Sequence, residues 1–192
     1  DYVVKTLEDA GWSADVVPFT YDAADVILRQ QTPVTTDYIA LDATGTGEGD
    51  VTGTVIPVDI NLAGARANSS GCEPADFAGL DFSGPNDIAL LQRGTCAFGV
   101  KASNAQAAGA EAAVLFNQGD PSTTTGDRFG PVNPTLLPFE ATIPVIGTTF
   151  AAGEALAAPG ATAQVKVDFY DAESFNVIGE LAGKTNDNVV MA

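Results

Sequence analysis

The segment running from Asp87 to Asn117 leaves this chain few folds to choose from. Asp87-Ile-Ala-Leu-Leu-Gln92 is a short apolar run without polar alternation, the pattern of a strand buried on both faces. Arg93-Gly-Thr-Cys-Ala-Phe-Gly99 reads as a turn, Val100 to Gly109 as an Ala-rich helix, and Ala112 to Asn117 as a second buried strand. Strand, helix and strand within roughly 30 residues form a βαβ unit, with two parallel strands and a right-handed crossover. Ala102, Ala105, Ala108 and Ala112 let the helix lie close to the sheet, and Gly109 can end it.

Around this unit the pattern is one of short strands and turns. Residues 1–11 form an amphipathic helix, with Val3, Val4, Leu7 and Ala10 at helical spacing and Gly11 as its stop. Residues 14–20 read as a strand that Pro18 assigns to a sheet edge or a strand end. Val26–Arg29, Asp37–Leu41 and Val51–Val58 are rich in β-branched residues and read as separate strands. Gly45, Gly47 and Gly49 mark a loop, but Asp50 follows where a phosphate-binding loop needs Lys-Ser/Thr. Residues 61–87 are loop-rich, and 118–140 form a second long loop of the length that is often functional. Ile143–Ile146 reads as a strand, Thr149–Ala158 as a helix and Ala161–Tyr170 as a half-buried antiparallel strand. Phe175–Leu181 and Asn188–Ala192 read as two further strands, the second running off the end of the sequence as though the polypeptide were cut there.

Composition excludes several kinds of chemistry. The 192 residues contain no His, which removes His-dependent triads and dyads and His-containing zinc motifs. Ser69, Ser70 and Ser103 therefore have no base to activate them. Eight basic residues against 25 acidic ones give a formal charge of −17, which disfavours nucleic acid and anionic membranes as partners. No apolar run approaches the roughly 20 residues of a membrane helix.

Cys72 and Cys96 are the only two cysteines, too few for a thiolate metal site. They are either a structural disulfide, the reading we favour, or two free buried thiols. A bridge closing about 25 residues stabilises by about 3.5 kcal/mol in the chain-entropy treatment, and it implies an oxidising compartment and hence export.

Ile88 to Lys101, followed by Asn104 to Asn117, closely resembles the protease-associated (PA) domain. So do Ser70–Phe77 upstream and Ile143–Gly147 with Gly153–Leu156 downstream, so that the match is ordered over roughly residues 25–170. The resemblance supports the Cys72–Cys96 bridge, because related domains carry Cys at both motif positions. The flanks resemble a second family. Residues 1–20 look like the first helix and strand of two-zinc aminopeptidases of the aminopeptidase Y and glutamate carboxypeptidase type. Phe175–Gly183 with Asn188–Ala192 looks like the strands leading into their first metal motif. That motif, Gly-Ala-His-x-Asp, would start at or after Ala192.

The resemblance implies an α/β (α+β) fold, a small β-barrel or sandwich carrying the βαβ unit and short flanking helices. It divides the chain into a peptidase stub (1–20), the PA domain (21–172) and strands leading into a zinc peptidase domain (173–192). The implied role is to border the active-site cleft of a secreted or cell-surface zinc aminopeptidase and control peptide access. The partners would be peptide or protein substrates and the catalytic domain, with zinc held there and neither catalytic residues nor metal ligands in this chain. Alternatives are a stand-alone secreted interaction module, the PA insert of a subtilisin-like serine protease, and a hydrolase using carboxylates alone.

Individual residues carry two readings each. Arg93 is a substrate carboxylate clamp or, with Gly94, a structural element of the turn, the reading we prefer. Phe129, Leu136, Leu137 and Phe139 form either an apolar surface for a peptide or partner, or the long loop's own small core. Asp120, Asp127 and Glu140 lack the spacing of a Ca²⁺ loop and read as solvated. Trp12 packs at the end of the first helix, and Asn68-Ser-Ser70 is a formal glycosylation sequon.

Overall fold

The computed structural model describes residues 2–63, 69–120 and 128–183. Its elements are α1 (Tyr2–Asp9), β1 (Ser13–Thr32), β2 (Thr36–Tyr38), β3 (Ala40–Asp42), β4 (Gly49–Pro57), a 3-10 turn (Pro74–Phe77), β5 (Asp87–Gln92), α2 (Phe98–Ala108), β6 (Ala112–Phe116), β7 (Val145–Thr148), α3 (Phe150–Leu156) and β8 (Thr162–Glu180). Two compact units result, Ala24–Phe169 and the flanks Asp1–Ala23 with Tyr170–Ala192.

The expected mixed fold, strands with a βαβ unit and short helices, is present. The sheet order is β2-β1-β8-β4-β5-β6-β7-β3. Pairing is parallel from β4 through β5 and β6 to β7, and antiparallel elsewhere among the registers that are defined. The two end strands, β2 and β3, are separated in sequence by Ile39 alone, so the strip nearly closes on itself. β5 and β6 are buried at every position. Alternation along them feeds two cores. Ile88, Leu90, Ala112, Val114 and Phe116 join β8 and α3 residues such as Val165 and Leu156. Ala89, Leu91, Ala113 and Leu115 meet Ala102 and Ala105 of α2, with Phe77 and Phe82 beyond.

In the flanking unit, α1 closes with Trp12 N–H donating to the Leu7 carbonyl and Gly11 at φ +85°. Leu7 and Trp12 lie over Gly179, and Ser13 Oγ donates to the Glu180 carbonyl.

Several boundaries differ from the sequence reading. Residues 14–20 and 26–29 belong to one 20-residue strand, and Pro18 lies inside it rather than at its end. Most of Ala161–Tyr170 and Phe175–Leu181 likewise belongs to one strand, which runs on through Asp171–Ser174 with Asp171 and Glu173 exposed and Ala172 and Ser174 half-buried. Asp37–Leu41 is two strands broken at exposed Ile39, where the chain passes from pairing with β1 to pairing with β7. α2 begins at Phe98 rather than Val100, and α3 spans Phe150–Leu156 with Thr149 as its cap rather than Thr149–Ala158. The expected strand at Asn188–Ala192 lies outside the described residues.

The irregular stretch before β5 is tied to α2 by polar bonds. Cys72 and Cys96 form a disulfide with Cα atoms 5.8 Å apart. Asn104 Nδ2 donates to the carbonyls of Gly71 and Cys72, both at 3.0 Å. Lys101, 0 % exposed, donates to the Ser70 carbonyl and lies 3.6 Å from Cys72 Sγ. Burial lowers its pKa from 10.5 to about 8, against the opposing charges of Asp76 and Asp59.

Two predictions follow from these ties. The unfolded chain holds the Lys101 proton up to about pH 10.5, whereas the folded chain releases it near 8, so this group makes stability rise with pH across that window. Lys101→Met should flatten that rise by on the order of 3 kcal/mol, read from denaturant unfolding at pH 7.5 and 10.5; a rise identical to wild type would contradict it. Replacing both cysteines by Ala should lower stability by about 3 kcal/mol. A loss under about 1 kcal/mol would mean that Lys101 and Asn104 alone hold the loop.

Candidate functional site

Gln92, Arg93 and Asn117 stand at the carboxyl ends of the parallel strands β5 and β6. Gln92, the last residue of β5, is fully buried and fully used. Its Oε1 accepts from Asn61 N–H at 2.7 Å, and its Nε2 donates to the carbonyls of Asn61 and Gln118. Its own N–H donates to Ser70 Oγ, which in turn donates to the Val58 carbonyl. Ser70 is thus a structural bridge and Ser69 bonds Asp59, so neither is a poised nucleophile.

Arg93 follows directly, and its N–H donates to the Phe116 carbonyl at 2.8 Å, extending the β5–β6 ladder by one residue. Among the described residues its side chain bonds neither a carboxylate nor a backbone carbonyl. The guanidinium lies 6.0 Å from the centre of the Phe98 ring and 3.5 Å from Asn117 Oδ1, a long, weak bond. Burial, then the charge of Arg128, lowers its pKa below the usual arginine range. Gly94 is half-buried beside it.

The second feature is a groove of about 310 Å³ between the first turns of α2 and the end of the long loop. Ala97, Val100, Ser103 and Asn104 line one wall, and Leu136, Leu137, Pro138 and Phe139 the other. Its lining is mostly apolar. Gly99 makes the approach of helix and loop possible, since a Cβ there would stand 2.1 Å from the Leu136 carbonyl oxygen. No periodicity in the sequence announces that role.

The four apolar loop residues are therefore not one surface. Leu136 is 1 % exposed and belongs to the α2-side core, Leu137 is 52 % exposed at the groove's lip, and Phe139 is half-buried. Phe129, 47 % exposed, packs edge-on against Phe150 with ring centres 5.8 Å apart. Asp120 is buried and Glu140 exposed, while Asp127 and Asn68 lie outside the described residues. Lys101, Asn104, Gln92 and Arg128 were not singled out by the sequence reading. A Lys within an Ala-rich helix is the one available signal among them.

The side chains present do not fit a zinc site. The chain has no His, both Cys are in the disulfide, and the described residues hold no group of three Cys, Asp or Glu placed for a metal ion. No described helix is long and apolar enough to cross a membrane.

Comparison with known proteins gives this geometry a family. An aminopeptidase of Pseudomonas aeruginosa is 38% identical over 205 aligned residues, covering 100% of this chain and 37% of that protein. The zinc aminopeptidase BSAP of Bacillus subtilis has the same fold, with a TM-score of 0.58 and 22% identity over 97% of this chain and 41% of its own. The aminopeptidase of Aneurinibacillus sp. strain AM-1 matches with a TM-score of 0.56 and 27% identity over 96% of this chain and 42% of its own. The chain thus spans roughly two fifths of the length of the relatives it matches. The family model described as the PA domain matches residues 51–156, more than half of the chain, and with the βαβ unit and its disulfide in place the chain belongs to the PA domain family.

Proposed function

We propose that this chain is the non-catalytic PA domain, with flanking strands, of an exported zinc-dependent aminopeptidase, and that it borders the active-site cleft and controls which peptides enter. The observation that carries this reading is the 38% identity to an aminopeptidase across the whole chain, flanks included. Residues 1–20 and 173–192 would then belong to the peptidase domain, and 21–172 to the PA domain.

The flanks support that division. Val16, Val17, Phe19, Phe175 and Leu181 are large, apolar and exposed along β1 and β8 and just beyond. A ribbon with this much bare apolar surface is what a covering domain would bury. The disulfide favours an oxidising compartment, and hence export.

The chemistry of such an enzyme, attack on a peptide bond by metal-activated water, belongs to residues outside this chain. What this chain brings is a wall. The α2–loop groove is apolar, preformed and open, and long enough in its lining to take side chains of a peptide beyond the scissile bond. Short substrates would not reach it.

Leu137→Glu tests this in the aminopeptidase that carries the chain. Leu137 is exposed, so the fold should survive. Hydrolysis of a pentapeptide should lose about tenfold in kcat/KM, the worth of one apolar side-chain contact. An aminoacyl p-nitroanilide should be cleaved as before. Equal loss on both substrates, or none on either, would sink the reading.

A further inference from the structure

We infer that Cys96 is a site of modification by thiols. The Cys72–Cys96 bond opens by exchange with a small thiol of the glutathione class, and it opens in a fixed direction: Cys96 takes the incoming sulfur, and Cys72 leaves as a thiolate beside Lys101.

The two sulfurs have different surroundings. Lys101 Nζ lies 3.6 Å from Cys72 Sγ while it donates to the Ser70 carbonyl, and Thr95 Oγ1 lies 3.7 Å from the same sulfur. Lys101 is 0 % exposed, so its ammonium is not spread into water. It keeps its proton up to about pH 8 and is therefore charged at neutral pH. A cation held against a sulfur away from solvent favours the thiolate. Asp76 and Asp59 are the carboxylates whose charge reaches Lys101, and they oppose a thiolate. The ammonium outweighs them because it touches the sulfur. Cys96 stands in the turn before α2, half-exposed between exposed Thr95 and Ala97. The end of α2 offers it about half a charge, weakened by solvent and by its place before the Ala97 cap. The whole charge in contact with Cys72 is the stronger effect.

Exchange then runs as follows. A thiolate from the small thiol attacks Cys96 Sγ, the more open sulfur. A new S–S bond forms there as the Cys72–Cys96 bond breaks, and the electron pair leaves on Cys72 Sγ, where it meets the Lys101 ammonium. The better-stabilised thiolate is the faster leaving group. A second small thiolate attacks the added sulfur, frees Cys96 and departs as the oxidised small disulfide. Otherwise Cys72 attacks Cys96 and the bridge closes again. The frame needed for closure does not depend on the bridge. Asn104 Nδ2 holds the carbonyls of Gly71 and Cys72, and Lys101 that of Ser70, through bonds that use neither sulfur. Cys96 directly precedes Ala97 of the groove wall, so the acquired group is tethered beside that groove.

Two measurements test this. The chain is exposed to reduced glutathione at neutral pH, quenched with acid and mapped by mass spectrometry. Glutathione should be found on Cys96 at least about fivefold more often than on Cys72. Separately, the pH dependence of iodoacetamide alkylation is followed in Cys96→Ala, which leaves Cys72, and in Cys72→Ala, which leaves Cys96. The midpoint for Cys72 should lie about one unit below that for Cys96, which should be close to the ordinary thiol value of about 8.5. Adding Lys101→Met to Cys96→Ala should close the gap, and adding Lys101→Arg should keep it. Glutathione on Cys72, an even split, no mixed disulfide at all, or equal midpoints would each overturn the inference. So would a Lys101→Met change that lowers Tm but leaves the Cys72 midpoint in place, since Lys101 would then be structural only. The mapping and the comparison of the two single cysteines leave Lys101 unchanged, so they decide the matter even where Lys101→Met does not fold.

Discussion

Two strands with no exposed face govern this structure. β5 and β6 are buried at every residue, so neither side of the sheet there can meet water. That demands cover on both faces. α2 supplies it on one side through Ala102 and Ala105, and α3 with β8 supplies it on the other. Nearly all else in the central unit can be read as a consequence. The crossover must be a helix with small side chains, and the polar groups at the strand ends must find partners without water.

The second demand explains the density of side-chain bonding around Gln92, Ser70, Lys101 and Asn104. Between them they bond the carbonyls of Val58, Asn61, Ser70, Gly71 and Cys72. Among the described residues, the Nε of Arg128 is the buried side-chain donor that this matching leaves without a partner.

What the sequence revealed follows from where the forces are local. The βαβ unit was legible because a fully apolar strand and an Ala-rich helix each declare themselves within ten or so residues. The resemblance to the PA domain rested on the same residues. The long strands β1 and β8 were misread as fragments, because Pro18 and Asp171–Ser174 are local signals for a break. Those residues lie in largely exposed stretches, where the alternation that marks a half-buried strand is not required. Leu136 and Leu137 are neighbours of the same chemistry, yet one is core and the other lip, a difference set by the Gly99 contact. Arg128 carried no signal at all, since the bond from Gly119 N–H to its carbonyl follows no local pattern.

The central claim is that the rim shares the rigidity of the buried strands instead of lying on them as a mobile fringe. Native-state hydrogen exchange on this chain tests it most directly. The amides of Ala89–Leu91 and Ala113–Leu115 should be the slowest, exchanging only through global unfolding. The amides of Arg93, Gly119 and Phe150, which donate to the Phe116, Arg128 and Phe129 carbonyls, should be protected to within about tenfold of them. If those three exchange by local opening, thousands of times faster or more on the order-of-magnitude scale of such motions, the rim is not part of the frame and the account fails.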